Sequence, residues 1–315
     1  MIHEYALDPK VLLAWSSNTR DYAEFMREYG LGTPRLISLF PKKKVSKLRS
    51  YFLRNGPVDS ESLQFQRYTE MVSKMVETLI LREFPEPQLT DWNDIVKVEN
   101  GRSPFNVVLS SQVIDTERNI TLTNMYLRDS IWNHPCQASI NRTVAGFSSI
   151  AVGFLRLAID KVVIVDTYGW TQKAIKTVQY FINSIRDNRV NPLLPSIHLY
   201  YKEKRGSNNS GIGSPDAAEV KRRILQGVSE YLSDINLEVF ELQEIDGNDV
   251  FHNRCILTEH GGILTGHGIG VSGDEAHTDD AILMKSDLYE KKWWQFVEDN
   301  CFQIMSHDGS KDGNN

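Results

Sequence analysis

The run Phe251-His-Asn-Arg-Cys-Ile-Leu-Thr-Glu-His-Gly-Gly-Ile-Leu-Thr-Gly-His-Gly-Ile-Gly-Val271 decides how the chain is read. Two apolar stretches, Cys255 to Leu257 and Ile263 to Leu264, flank His260-Gly261-Gly262, a pattern that predicts a β-hairpin. His252 and Arg254 stand two residues apart and share one face of the first strand, while Glu259 falls at the turn. An imidazole can act as nucleophile or acid, a guanidinium forks onto phosphate oxygens, and a carboxylate can orient the imidazole. His252, Arg254 and Glu259 are therefore the candidate catalytic set, and the chemistry they suit is binding or attacking a phosphodiester.

Around the hairpin, strand and helix patterns alternate. Lys161-Val-Val-Ile-Val-Asp166 is short and almost wholly apolar, the mark of a buried parallel strand. Helices are expected at 143–160, 171–188, 216–232 and 286–300, and strands at 106–114, 120–126, 196–201, 237–242 and 280–284. The alternation predicts an α/β sandwich with a mixed, largely parallel sheet over residues 105–303. The polar, glycine-bearing end, 304–315, reads as a disordered tail. Residues 1–83 read as helical, with Asp8-Pro9 as a cap and first-turn pair and an apolar stripe from Leu63 to Leu79. The turn- and proline-rich stretch 84–104 completes a helical N-terminal lobe and linker over 1–104, a candidate docking site for a partner protein.

The spacing His252-x-Arg254-x4-Glu259, six residues, then Gly266-His267-Gly268-Ile269 resembles the phospholipase D superfamily signature His-x-Lys-x4-Asp-x6-Gly-Ser-x-Asn. Arg254 stands where that signature has lysine, Glu259 where it has aspartate, and His267 and Ile269 where it has serine and asparagine. Val162-Val-Ile-Val-Asp-Thr-Tyr168 and Thr278-Asp-Asp-Ala-Ile-Leu283 look like the early and late strands of such a domain. The pattern is similar to uncharacterised prokaryotic His-Asp-Arg variants, here with Asn253 in the middle position, and to the domain that ends some MIT-domain proteins. The resemblance implies a phospholipase D-like fold, a phosphohistidine formed at His252 without a metal, and, from the bacterial members, a setting in anti-phage defence. Two histidines across one phosphate are needed for that chemistry. His134, His198 and His277 are not followed by a Lys or Arg at the second position, so activity implies a homodimer.

Bulk properties narrow the alternatives. The 315 residues allow one large or two modest domains, and 41% apolar with 24% charged residues is ordinary for a globular protein. No apolar run reaches the length of a membrane span, and Met1-Ile-His-Glu-Tyr5 lacks a signal peptide's basic start, so a cytoplasmic protein is expected. Cys136, Cys255 and Cys301 are too widely spaced for a disulfide framework or zinc ribbon, and neither metal nor cofactor is expected. The net charge of −6 is unevenly spread: residues 1–50 carry nine basic and five acidic side chains, residues 201–300 ten and nineteen. The dense basic run holds Lys42, Lys43, Lys44, Lys47 and Arg49. These are candidate nucleic-acid phosphate contacts, and an amphipathic helix with a solvated cationic face fits them equally.

Each site residue has a second reading. His252 can cap a strand end, and Arg254 can bridge to Glu259. Asp166, at a strand's C-terminal end, is a candidate ligand contact or the cap of the next helix. His267 can replace the missing serine and asparagine or simply sit in a turn. Two functions follow: a metal-independent nuclease acting through His252 in a homodimer, or an inactive module that binds a phosphate-bearing ligand or a partner protein within a larger complex.

Overall fold

The computed structural model describes residues 1–309 except 117, 128–130, 206–212, 229–234, 247–249, 252–253, 275 and 300. The chain divides into two compact units, Met1–Cys136 and Gln137–Asn315. The first contains β1 (His3–Leu7), α1 (Pro9–Ser17), α2 (Thr19–Glu28), β2 (Arg35–Ser38), α3 (Val45–Arg54), α4 (Leu63–Glu77), β3 (Leu79–Ile80), α5 (Trp92–Arg102), β4 (Val107–Ser110) and β5 (Asn119–Thr121). Its strands run parallel in the order β3-β2-β1-β4-β5. Tyr5, Leu7, Ile37 and Leu39 bury against α1, α2, α3 and α4, whereas Ala6, Phe40 and Val108 bury with Trp92, Ile95 and Val96 of α5. Helices therefore cover both faces of the sheet.

This corrects the expected helical lobe. Strands of a parallel sheet buried on both faces show no polar–apolar alternation. Here the charged Glu4 and Arg35 also interrupt the apolar signal of β1 and β2. Both are buried with partners: Glu4 accepts from Arg82 Nε at 2.8 Å and Nη2 at 3.0 Å, and from Ser38 Oγ at 2.8 Å. Arg82 also reaches Glu99 at 2.8 Å and the Ser103 carbonyl at 2.8 Å, and its guanidinium lies 4.0 Å over the Phe105 ring. The strands expected near 106–126 as part of the second domain are β4 and β5 and pair within this first sheet. At the carboxyl end of β1, Asp8 caps α1: Oδ1 accepts from Lys10 N at 2.9 Å, and Oδ2 accepts from Ser111 N at 3.0 Å and Ser111 Oγ at 2.6 Å.

The second unit contains β6 (Gln137–Asn141), α6 (Val144–Leu155), β7 (Lys161–Val165), α7 (Gln172–Asn188), β8 (Ser196–Lys202), α8 (Ala217–Leu225), β9 (Leu237–Gln243), β10 (Cys255–Thr258), β11 (Gly261–Thr265), β12 (Thr278–Leu283), α9 (Ser286–Trp293) and β13 (Gln303–Asp308). The sheet order is β13-β9-β8-β7-β10-β11-β12-β6, parallel only across β9-β8-β7. The α/β architecture and the mixed sheet agree with the sequence reading; "largely parallel" does not. The antiparallel part begins at the hairpin, whose β10 pairs with both β7 and β11. Its two-residue turn is Glu259-His260, and Gly261 takes φ 136°. Successive residues of β8 face opposite layers. Leu199 and Tyr201 lie beside Gly169, just before α7, and Tyr201 bonds the Pro215 carbonyl, whereas Tyr200 packs on Phe240 and Phe296. The start of the expected tail is instead a strand: β13 pairs with β9 through Asp308, and its mostly exposed side chains at a sheet edge read as a polar tail; the rest of the expected tail, 310–315, lies outside the described residues.

Candidate functional site: an arginine-flanked mouth at the carboxyl end of β7

The last four of the five residues of β7, Val162 to Val165, are buried, and the strand delivers Asp166 to the sheet's edge at 2% exposure. Its Oδ1 accepts from Tyr168 N at 2.8 Å and its Oδ2 from Ile269 N at 2.7 Å. Gly268 makes the second contact possible. It sits at φ 83°, where side chains are strained, and a Cβ there would stand 2.3 Å from Oδ2. Thr177 of α7 ties the same turn down through the Ile269 carbonyl at 2.7 Å. Burial pushes the Asp166 carboxyl above its ordinary pKa; the two backbone N–H groups and the charges of Arg254 and Arg142 oppose that rise.

Two guanidiniums flank this turn. β10 pairs with β7 with Cys255 opposite Val165, so the next position in that register sets Arg254 beside Asp166. Arg254 Nη1 donates to the Gly266 carbonyl at 2.7 Å. Arg142, just past β6, donates from Nη2 to the Gly270 carbonyl at 2.9 Å, and its backbone is held by His277 and Ser272. The Nε of each is buried without a partner, and neither arginine makes an ion pair among the described residues. Arg82 in the first unit is the contrast, with its guanidinium bonded to two carboxylates and two carbonyls. Sequence reasoning missed Arg142. It falls between a strand and the Thr143 cap of α6 and belongs to no motif, so only the fold brings it here.

The other expected residues separate. His267 is at the mouth and exposed. Its N–H donates to both oxygens of the buried Asp279 at 3.1 and 3.0 Å, and Nδ1 lies 3.2 Å from Oδ1. Glu259 is at the opposite end of β10, roughly 16 Å from Arg254 at about 3.3 Å per residue. There it accepts from Ile159 N at 2.7 Å and Asp160 N at 3.3 Å, and lies 3.4 Å from His260 Nε2. Its carboxylate orders the approach to β7 and takes no part in the mouth. His252 lies outside the described residues. Lys42, Lys43, Lys44, Lys47 and Arg49 belong to the first unit, in and just before α3, which buries Leu48 and Phe52. Lys42 stands 5.2 Å over the Tyr51 ring and the other four are exposed, with no ion pair among the described residues.

His134 is bonded at 2.6 Å to Tyr5 and stacked on His3. Two concavities also lie in the first unit: a cavity of about 330 Å³ walled by Phe40, Phe84, Leu89, Ile95 and Glu99, and a groove of about 580 Å³ along α2 and α4. None of the residues lining them belongs to the mouth. Among the described residues no cluster of three or more His, Cys, Asp or Glu is placed to hold a metal ion, and no helix is long and apolar enough to cross a membrane.

No family model and no curated protein matches the chain. Solved structures similar to it include a phospholipase D family member, Nuc from Salmonella typhimurium, at 8% identity and TM-score 0.32, covering 54% of this chain and 97% of that one. Phosphatidylserine synthase from Haemophilus influenzae Rd KW20 is similar at 11% identity and TM-score 0.33 over 52% of this chain, which spans 36% of that protein. Polyphosphate kinase from Porphyromonas gingivalis is similar at 10% identity and TM-score 0.31, with 79% of this chain and 35% of that one covered. Likenesses of this size carry no residue roles; the side chains at the mouth do.

Proposed function

We propose that the second unit acts on phosphodiesters, as a metal-independent nuclease in which His252 is the nucleophile. The observation that carries this reading is the mouth itself: two half-buried guanidiniums without carboxylate partners among the described residues, one of them Arg254 of the His-x-Arg sequence. Cations that a fold leaves unpaired and partly desolvated favour an anionic ligand. In the proposed reaction an imidazole nitrogen of His252 bonds phosphorus as the bond to the leaving oxygen breaks. The imidazole of a second protomer protonates that oxygen, then takes a proton from the water that releases His252. The cationic stripe on α3 supports a nucleic-acid strand as the substrate, and anti-phage defence is the setting the sequence resemblance implies.

A second reading has its own support. Glu259 is engaged with backbone at the far end of β10, and His267 occupies the position of the signature's serine, which favours a module that binds a phosphate-bearing ligand without cleaving it. Cleavage of DNA and RNA by wild type and His252→Ala, in EDTA and with mass measured in solution, separates the two. A dimer whose cleavage survives EDTA and vanishes in the variant supports the nuclease. Intact substrates with both proteins leave the binding module.

A further inference from the structure

We propose that Arg142 is the second half of an oxyanion clamp, gripping together with Arg254 one phosphate group of the ligand. The inference rests on the reading of the mouth as a phosphate site and adds a residue that no motif contains. Three observations carry it. Arg142 and Arg254 are each pinned by a single N–H to carbonyls of one short loop, Gly270 and Gly266. That loop is fixed between the two anchor points, because Asp166 holds Ile269 N and Gly268 is locked against the same carboxylate. The charges of both guanidiniums also oppose the rise of the Asp166 pKa.

Buried donors without acceptors require an explanation, and each of these arginines has a buried, unpartnered Nε while its remaining N–H groups meet no protein acceptor among the described residues. The buried Arg35 also has an orphaned Nε, but its terminal nitrogens reach the Glu28 carboxylate and the Trp132 carbonyl, whereas Arg142 and Arg254 each reach one carbonyl and no carboxylate among the described residues. A tetrahedral oxyanion offers several acceptors and a compensating charge at once, the combination that guanidiniums match best. Asp166 is the positioning residue of this arrangement: it touches the loop that aims the cations, not the ligand.

The test uses inorganic phosphate as the probe and the full chain. Phosphate affinity, measured by titration calorimetry, is expected to fall about tenfold or more in Arg142→Met and in Arg254→Met, the usual scale for a charged hydrogen bond. The double variant should lose less than the product of the two, since both groups grip one ion. Arg186→Met, at a half-exposed residue paired with Asp187, is the control and should bind as wild type does. Protection of the wild-type protein against an arginine-selective dicarbonyl reagent gives a readout independent of variant folding: phosphate should shield Arg142 and Arg254 and leave Arg186 reactive. Unchanged binding by a folded Arg142→Met, shielding of Arg254 alone, or no phosphate binding by wild type would each overturn the clamp. If cleavage depends on His252 while Arg142→Met binds phosphate normally, the clamp fails and the nuclease stands. A working clamp in a protein that cleaves nothing fails the nuclease alone.

Discussion

Gly268 and Asp166 are interdependent, and two measurements follow from that. Gly268→Ala must place a Cβ 2.3 Å from a buried carboxylate oxygen at φ 83°. It should lower the unfolding free energy by about 2 kcal/mol or more, read from urea midpoints. Gly273→Ala, whose Cβ meets nothing within 4 Å, should stay within about 0.5 kcal/mol of wild type. Asp166 contributes a pH dependence of its own. Its folded pKa is raised above the ordinary 3.8 by burial, so the folded state holds the proton more tightly than the unfolded chain does. That contribution is fully present below 3.8 and is lost as pH rises through the raised folded value. The stability gap between wild type and Asp166→Asn should therefore shift against wild type from about pH 4 to about pH 7 in denaturation at each pH; a shift the other way would reject burial as the dominant cause. Arg254 and Asp166 could be singled out from the sequence because each closes or opens an apolar run. Arg142 could not, because its role depends on β6 lying beside β12 at the far side of the sheet.

Elements make different demands from residues. The buried Glu4–Arg82–Glu99 network joins β1 to α5 and to the segment following β3. Arg82→Met would take the cation away from the buried Glu4 and leave Glu99 with Arg102, and should cost roughly 3–5 kcal/mol in thermal or urea unfolding. Glu4 of this network and Arg35 hide β1 and β2 in the sequence, whereas β7, with no charge between Val162 and Val165, is legible as a strand. The lysines in and just before α3 are exposed and outside the core, so Lys43→Glu, Lys44→Glu and Lys47→Glu together should leave the fold intact. If the stripe meets a nucleic-acid backbone, each lost contact should reduce the slope of log affinity against log salt by about 0.9 on duplex DNA, measured by anisotropy. An unchanged slope would leave α3 a solvated helix.

At the scale of the whole molecule, each unit encloses its own apolar interior: Trp15, Phe25, Phe52 and Trp132 in one, Val163, Phe181 and Leu199 in the other. Residues 1–136 expressed alone should thus unfold cooperatively, monitored by tryptophan fluorescence. In the full chain Arg82→Met should displace the first unit's transition and Gly268→Ala the second's. Loss of all cooperative structure in the isolated fragment would show that the division is geometric only. The strand order of the first unit reverses between β1 and β4, the place where open α/β sheets usually receive a nucleotide's phosphate at a helix start. Here that berth comes with a built-in tenant. The Asp8 carboxylate already takes the Lys10 and Ser111 amides that a phosphate would seek, and Pro9 has no amide to offer. The chain thus carries its own resident anion where a nucleotide fold keeps a vacancy, which turns a sheet of nucleotide-binding layout into a scaffold sealed from within.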